Sequence, residues 1–140
     1  MTVEGKLTKE GKEYLLNLGF RNLGNPVQEL YLGLANSEIT SETTLENIAE
    51  VTEENYERKL FNFKEPLSGP DITRLFNLEE VNFGPWFNDQ NENVLAAFVS
   101  DKKTGTDGML LIYFPVDGNL APFKDDELSV AEDNLSFEME

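Results

Sequence analysis

The chain contains no cysteine and no histidine. Without cysteine, neither a disulfide nor a thiolate metal site can form. Without histidine, the commonest general base, pH switch and zinc ligand is missing. Nucleophilic triads depend on such a base. We therefore expect that the protein is not an enzyme and carries no cofactor.

Long apolar runs are also missing, since no 18 consecutive apolar residues occur. The sequence therefore predicts no transmembrane helix. The first six residues, Met-Thr-Val-Glu-Gly-Lys, lack the apolar stretch of a secretory signal peptide, so we expect none.

Basic residues are scarce, because 11 Lys and Arg face 27 Asp and Glu, for a net charge of −16. Binding to a phosphate backbone would act against that field, so nucleic acid is not an expected partner. The charge is uneven: residues 1–21 are near neutral, whereas residues 38–57 hold seven Glu and no base. One interpretation is that the acidic residues keep the protein soluble. The other is that the near-neutral end docks on a partner while the acidic parts face water.

Apolar residues are plentiful: they make up 39% of the 140 residues and include 10 Phe. This content favours one folded domain. Three short apolar runs stand out in the second half: 94–99, 109–116 and the alternating stretch 128–139. Runs of this length between turn residues predict strands of a sheet with one wet face. Asp107-Gly108, in the 101–108 segment, predicts a hairpin loop.

The first half contains the best helix candidate, from Thr8 to Phe20, with Thr8 as its N-cap. Leu7, Tyr14, Leu15 and Leu18 form its apolar stripe. Strands are predicted over 29–34, 56–63 and, as one or a pair, 72–83. Between them lies an acidic loop at about 36–55, where the capping-box pattern Thr43 to Glu46 allows a short helix or one turn.

These elements predict six or seven strands and a mainly β fold. We expect an antiparallel β-sandwich or barrel-like domain with an N-terminal helix. The expected organisation is a helix or arm over residues 1–25, followed by a single β-rich domain over residues 26–140.

Carboxylates are the remaining candidates for chemistry. A pair of them could hydrolyse a glycoside if a cleft held them apart at a defined distance. Calcium is the stronger alternative, with ligands from Asp101, Thr104 and Asp107, or from 125–127. Neither group has EF-hand spacing, and turn-forming aspartates account for both, so we predict no metal site.

In order along the chain, these pieces resemble a family of small structural proteins of tailed-bacteriophage virions, namely head decoration (cement) or tail-fibre-like proteins. The matching pieces are Leu15-Leu16, Leu30-Tyr31-Leu32-Gly33-Leu34, Asn55-Tyr56-Glu57-Arg58, Val81-Asn82-Phe83 before Trp86, Asp101 with Thr104-Gly105 and Gly108, Leu110-Leu111, and the alternating strand from Leu128 to Met139.

The resemblance implies a mechanical role on the capsid surface of a virion. We expect a homotrimer that contacts the major capsid protein and stabilises the head, without membrane contact. The alternative is a tail or fibre component that binds the host surface through exposed aromatic residues beside acidic loops. Together with the near-neutral N-terminal end, the resemblance suggests five docking residues: Leu7, Tyr14, Leu15, Leu18 and Arg21.

Overall fold

The computed structural model of the chain describes residues 3–89, 92–116 and 120–139. One helix and ten strands lie in this part of the chain. In order they are β1 (Val3–Leu7), α1 (Lys9–Phe20), β2 (Leu30–Ala35), β3 (Lys59–Phe61), β4 (Leu67–Ser68), β5 (Thr73–Phe76), β6 (Val81–Phe83), β7 (Ala96–Ser100), β8 (Leu110–Pro115), β9 (Leu128–Val130) and β10 (Leu135–Met139).

Eight strands form one curled sheet in the order β3-β2-β7-β8-β1-β10-β5-β4, and β6 pairs with β9 in a separate ribbon. All the neighbouring pairs are antiparallel except β1 and β10, which run parallel. The predicted class is confirmed: the fold is mainly β, of the sandwich or barrel-like kind, with an N-terminal helix.

Strand β1 lies inside the sheet rather than beside it. Its residues Lys6 and Leu7 pair with β8, and Val3 to Gly5 pair with β10 near the other end of the chain. The region 1–25, predicted as a helix or arm, therefore contributes a central strand to the same sheet as region 26–140. This strand is not among those predicted.

The centre of the sheet is covered on both faces. Every residue of β7 is buried, because consecutive side chains point to opposite faces and each face has its own apolar cluster. On one face, Ile39 and Leu45 from the acidic loop pack with Phe98. The expectation of one wet face is thus wrong for the central strands, since the acidic loop covers their second face.

The acidic loop forms turns and no short helix, which is the second of the two possibilities that the capping-box pattern allows. The Thr43 hydroxyl accepts a hydrogen bond from Thr40 N–H, at 3.0 Å, and the Asn47 side chain accepts one from Thr44 N–H, at 2.9 Å. These side chains close local turns that compete with a helix.

The predicted hairpin between β7 and β8 is confirmed, with Gly105 at φ +85° in its loop. In the described ranges, no helix is long and apolar enough to cross a bilayer.

Candidate functional site

Helix α1 is fastened by its first turn to the start of β8. The Thr8 hydroxyl accepts a hydrogen bond from Gly11 N–H, as predicted for the N-cap, and donates to the Leu110 carbonyl. The Glu10 carboxylate accepts a hydrogen bond from Leu110 N–H at 2.9 Å. Thr8 is fully buried. The helix therefore starts from a fixed point on the sheet.

Gly11 allows the helix to approach β8 closely. A Cβ at this position would lie 2.3 Å from the carbonyl oxygen of Leu111, which is backbone and cannot swing aside. Gly19, near the other end of α1, faces open space instead. A side chain of any size at Gly11 would lift the first turn of the helix off the sheet.

The inner side of α1 lines a half-open apolar cavity of about 230 Å³. Three of the five predicted docking residues, Leu7, Tyr14 and Leu15, lie on its wall. The Tyr14 hydroxyl donates to the Asn25 carbonyl at 2.6 Å, which ties the loop after α1 to the helix. The predicted stripe thus mainly marks the side of the helix that packs on the sheet.

The other two predicted docking residues, Leu18 and Arg21, do not line this cavity. Leu18 is half-buried, and Arg21 is exposed with its guanidinium bonded to the Asn17 side chain at 3.1 Å. The structure therefore brings Leu7, Tyr14 and Leu15 together at one cavity and leaves Leu18 and Arg21 outside it.

The outer side of α1 and the turn after it carry exposed apolar residues. Leu16 is 58% exposed, Phe20 86% and Leu23 47%. Leu16 and Phe20 are four residues apart, so they lie one turn apart on the same side of the helix. We call these three residues the α1 ridge. Sequence reasoning missed the ridge, although two large apolar residues at i and i+4 off the main stripe are a signal for it.

The charges on α1 balance, unlike those of the whole chain. Lys9 and Lys12 stand against Glu10 and Glu13 within the helix. The ridge is therefore an apolar surface on a charge-neutral helix of a strongly acidic molecule. Such a surface can approach another protein without the repulsion that the acidic loops create.

Glu50 of the acidic loop forms an ion pair with the buried Arg58, and its own side chain is 25% exposed. The Arg58 guanidinium is bidentate to Glu50, with N–O distances of 2.8 and 2.9 Å, and donates further bonds to the Lys102 and Gly105 carbonyls. The Tyr56 hydroxyl donates to the same carboxylate at 2.6 Å. Both carboxylate oxygens of Glu50 thus accept hydrogen bonds, and through Arg58 they join the acidic loop to the hairpin loop.

Because Tyr56 is buried as a neutral phenol, it should lower the free energy of unfolding at high pH. Burial, followed by the neighbouring Glu50 carboxylate, raises the pKa of Tyr56 above its ordinary value of 10.0. As the pH rises above about 10, the unfolded chain therefore loses the phenol proton before the folded protein does. From that pH upwards the free energy of unfolding falls by about 1.4 kcal/mol per pH unit because of this group. The free energy of unfolding in urea, measured between pH 9 and 11, should decline less steeply with pH in Tyr56→Phe than in the native protein. Equal declines would contradict this assignment.

The two acidic groups considered for calcium have structural roles. The Asp101 carboxylate accepts a hydrogen bond from Met109 N–H at 2.7 Å and so closes the hairpin loop, in which Thr104 and Asp107 are exposed. The Asp126 carboxylate accepts one from Phe123 N–H at 2.9 Å, and Asp125 has a left-handed backbone with φ +73°. No cluster of three or more acidic side chains suited to a metal ion occurs within the described ranges.

Comparison with models of known protein families, and with the sequences of curated proteins, finds no match to this chain.

Proposed function

We propose that the protein is a structural component of a bacteriophage virion, a decoration (cement) protein that stabilises the head through contacts between subunits. In this proposal it acts as a homotrimer on the capsid surface and contacts the major capsid protein. The sequence resemblance supplies the class of protein. The observation that carries the proposal is the α1 ridge, an exposed apolar surface on a charge-balanced helix.

The ridge suits a docking role because its anchor is rigid. Thr8 and Glu10 bind the start of β8, and Gly11 sits directly on that strand. Little conformational entropy would therefore be lost from the helix when a partner covers it. Burial of apolar area contributes roughly 25 cal/mol per Å², and a stable interface buries on the order of 1,200–2,000 Å² in total. A shell repeats such a contact many times.

Replacing Phe20 by alanine should weaken binding to capsids by about 5- to 150-fold, because a truncated aromatic anchor typically costs about 1–3 kcal/mol. The fold should be unaffected, since Phe20 is 86% exposed. The measurement is cosedimentation of the purified protein with capsids that lack it, over a range of protein concentrations.

The matched control is Leu67→Ala, which removes a comparably exposed apolar side chain, 62% accessible, from the edge strand β4. This variant should bind capsids like the native protein. Native-like binding by Phe20→Ala would show that the ridge is not the docking surface. Failure of the native protein to bind capsids at all would count against the proposed function itself.

A further inference from the structure

A second exposed surface lies where two loop segments meet near the two-stranded ribbon. Phe87 is 48% exposed and Phe123 is 67% exposed. Phe87 follows Trp86, which is completely buried, so one aromatic side chain anchors the segment in the core while the next faces solvent. We call the area formed by Phe87, Asp89, Phe123 and Asp125 the aromatic–acidic surface.

Hydrogen bonds hold the two segments of this surface together. Trp86 N–H donates to the Asp126 carbonyl at 2.9 Å, and Asp125 N–H donates to the Trp86 carbonyl at 2.7 Å. The Asp89 carboxylate accepts a further bond from Lys124 N–H at 2.7 Å. The two phenylalanines are thus carried by connected backbone rather than by independent loops, and the surface is formed before any partner arrives.

The charge around these rings selects the kind of partner. Asp89, Asp125, Asp126 and Glu127 are all exposed, and Lys124 is the one base within the segments 86–89 and 123–127. A second copy of this chain would bring like charges together, and an anionic partner would be repelled. A cation gains twice, from the carboxylates and from the faces of the aromatic rings. Arginine fits best, because its planar guanidinium stacks on rings and pairs with carboxylates.

We propose that the aromatic–acidic surface binds a basic, arginine-containing segment of a partner protein, with guanidinium groups against Phe87 and Phe123. This inference does not depend on the proposed function. It adds a second contact surface at a distance from the α1 ridge. Helix α1 is hydrogen-bonded to the start of β8. The Leu120 carbonyl, shortly before Phe123, accepts a hydrogen bond from Val94 N–H beyond the other end of β8. A strand of six residues separates the two ends by roughly 17–20 Å.

The test is a calorimetric titration of the full chain at 0.15 M salt. The titrant is a peptide of three arginines separated by glycines, with both peptide termini blocked. Phe123→Ala and Phe87→Ala should each weaken peptide binding about two- to fivefold, the loss expected for one cation–π contact at an exposed site. The lysine version of the peptide should bind more weakly than the arginine version, because an ammonium group does not stack on a ring. Phe20→Ala, which removes an exposed ring elsewhere, should leave binding unchanged.

Two double variants, each lacking two negative charges, distinguish binding of the peptide at this surface from its general attraction to an acidic protein. Asp125→Asn with Glu127→Gln removes one charge from the aromatic–acidic surface and one two residues further along the same segment, and asparagine tolerates the left-handed backbone of residue 125. Glu42→Gln with Glu46→Gln removes two charges from the acidic loop. The first pair should weaken peptide binding several-fold more than the second.

Two results would overturn the inference. One is equal weakening in both charge variants together with native-like binding by Phe123→Ala, which would mean that only net charge matters. The other is binding of a neutral oligosaccharide that is lost in Phe123→Ala, while the arginine peptide does not bind. That second result would instead support a surface for host glycans and the tail or fibre alternative.

Discussion

Replacing Arg58 by alanine is expected to lower the free energy of unfolding by about 2–3 kcal/mol, because a buried acceptor that loses its donor costs about 1–3 kcal/mol and the partly exposed Glu50 carboxylate can still reach water. Arg58 is 3% exposed and makes four hydrogen bonds, two to Glu50 and two to backbone carbonyls of the hairpin loop. Its guanidinium also lies 5.4 Å from the centre of the Phe98 ring. Truncation removes both Arg58 hydrogen bonds to the Glu50 carboxylate, which keeps the bond from the Tyr56 hydroxyl, and it takes this donor away from the Lys102 and Gly105 carbonyls.

The matched control is Arg74→Ala. Arg74 also pairs with a carboxylate, Glu138, at 2.6 Å, but its side chain is 46% exposed. A solvent-exposed pair of this kind is worth about 1 kcal/mol or less. Urea unfolding, followed through the fluorescence of the single tryptophan, Trp86, gives both values. Similar losses in the two variants would mean that the Arg58 network does not hold the acidic loop to the hairpin.

Gly11→Ala and Gly19→Ala should change stability in opposite directions, although both replace glycine by a better helix former. At Gly19 the new methyl group meets nothing within 4 Å, so the variant should gain about 0.5–1 kcal/mol. At Gly11 it would lie 2.3 Å from the Leu111 carbonyl oxygen. Forcing the helix off the strand should cost about 2–3 kcal/mol net, as overpacking in a filled site does.

The measurement is again the free energy of unfolding in urea. The Gly11 variant also tests how the docking surface is supported, because displacing the first turn disturbs the Thr8 and Glu10 bonds to β8. Its capsid binding should therefore fall even though it leaves every ridge residue in place. A stabilised Gly11→Ala protein would show that α1 does not pack against β8 as described.

The elements that sequence reasoning located correctly are those with local signals. Thr8 before an apolar stripe predicts α1, and Asp107-Gly108 between two apolar runs predicts the β7–β8 hairpin. Strand β1 has no such signal, because Val3 and Leu7 are its only large apolar residues and its partners β8 and β10 lie about a hundred or more positions away in the chain. Its pairing depends on tertiary structure.

The candidate surfaces were harder to predict than the fold, because exposure depends on what the rest of the chain covers. The stripe of Tyr14 and Leu15 could face a partner or the sheet, and in the structure it lines the cavity against the sheet. Phe20 and Phe123 have the same sequence character as buried Phe61 and Phe114, so composition alone does not separate them. The glutamates of the acidic loop were predicted to be solvated, yet its Glu50 binds a buried arginine.

The most direct test of the proposed role is the number of copies of this protein in purified phage particles, measured by quantitative mass spectrometry against the major capsid protein. A decoration protein repeats with the capsid lattice, so we predict hundreds of copies per particle, at a fixed ratio to the capsid protein. Absence from purified particles, or only a handful of copies in each, would contradict it.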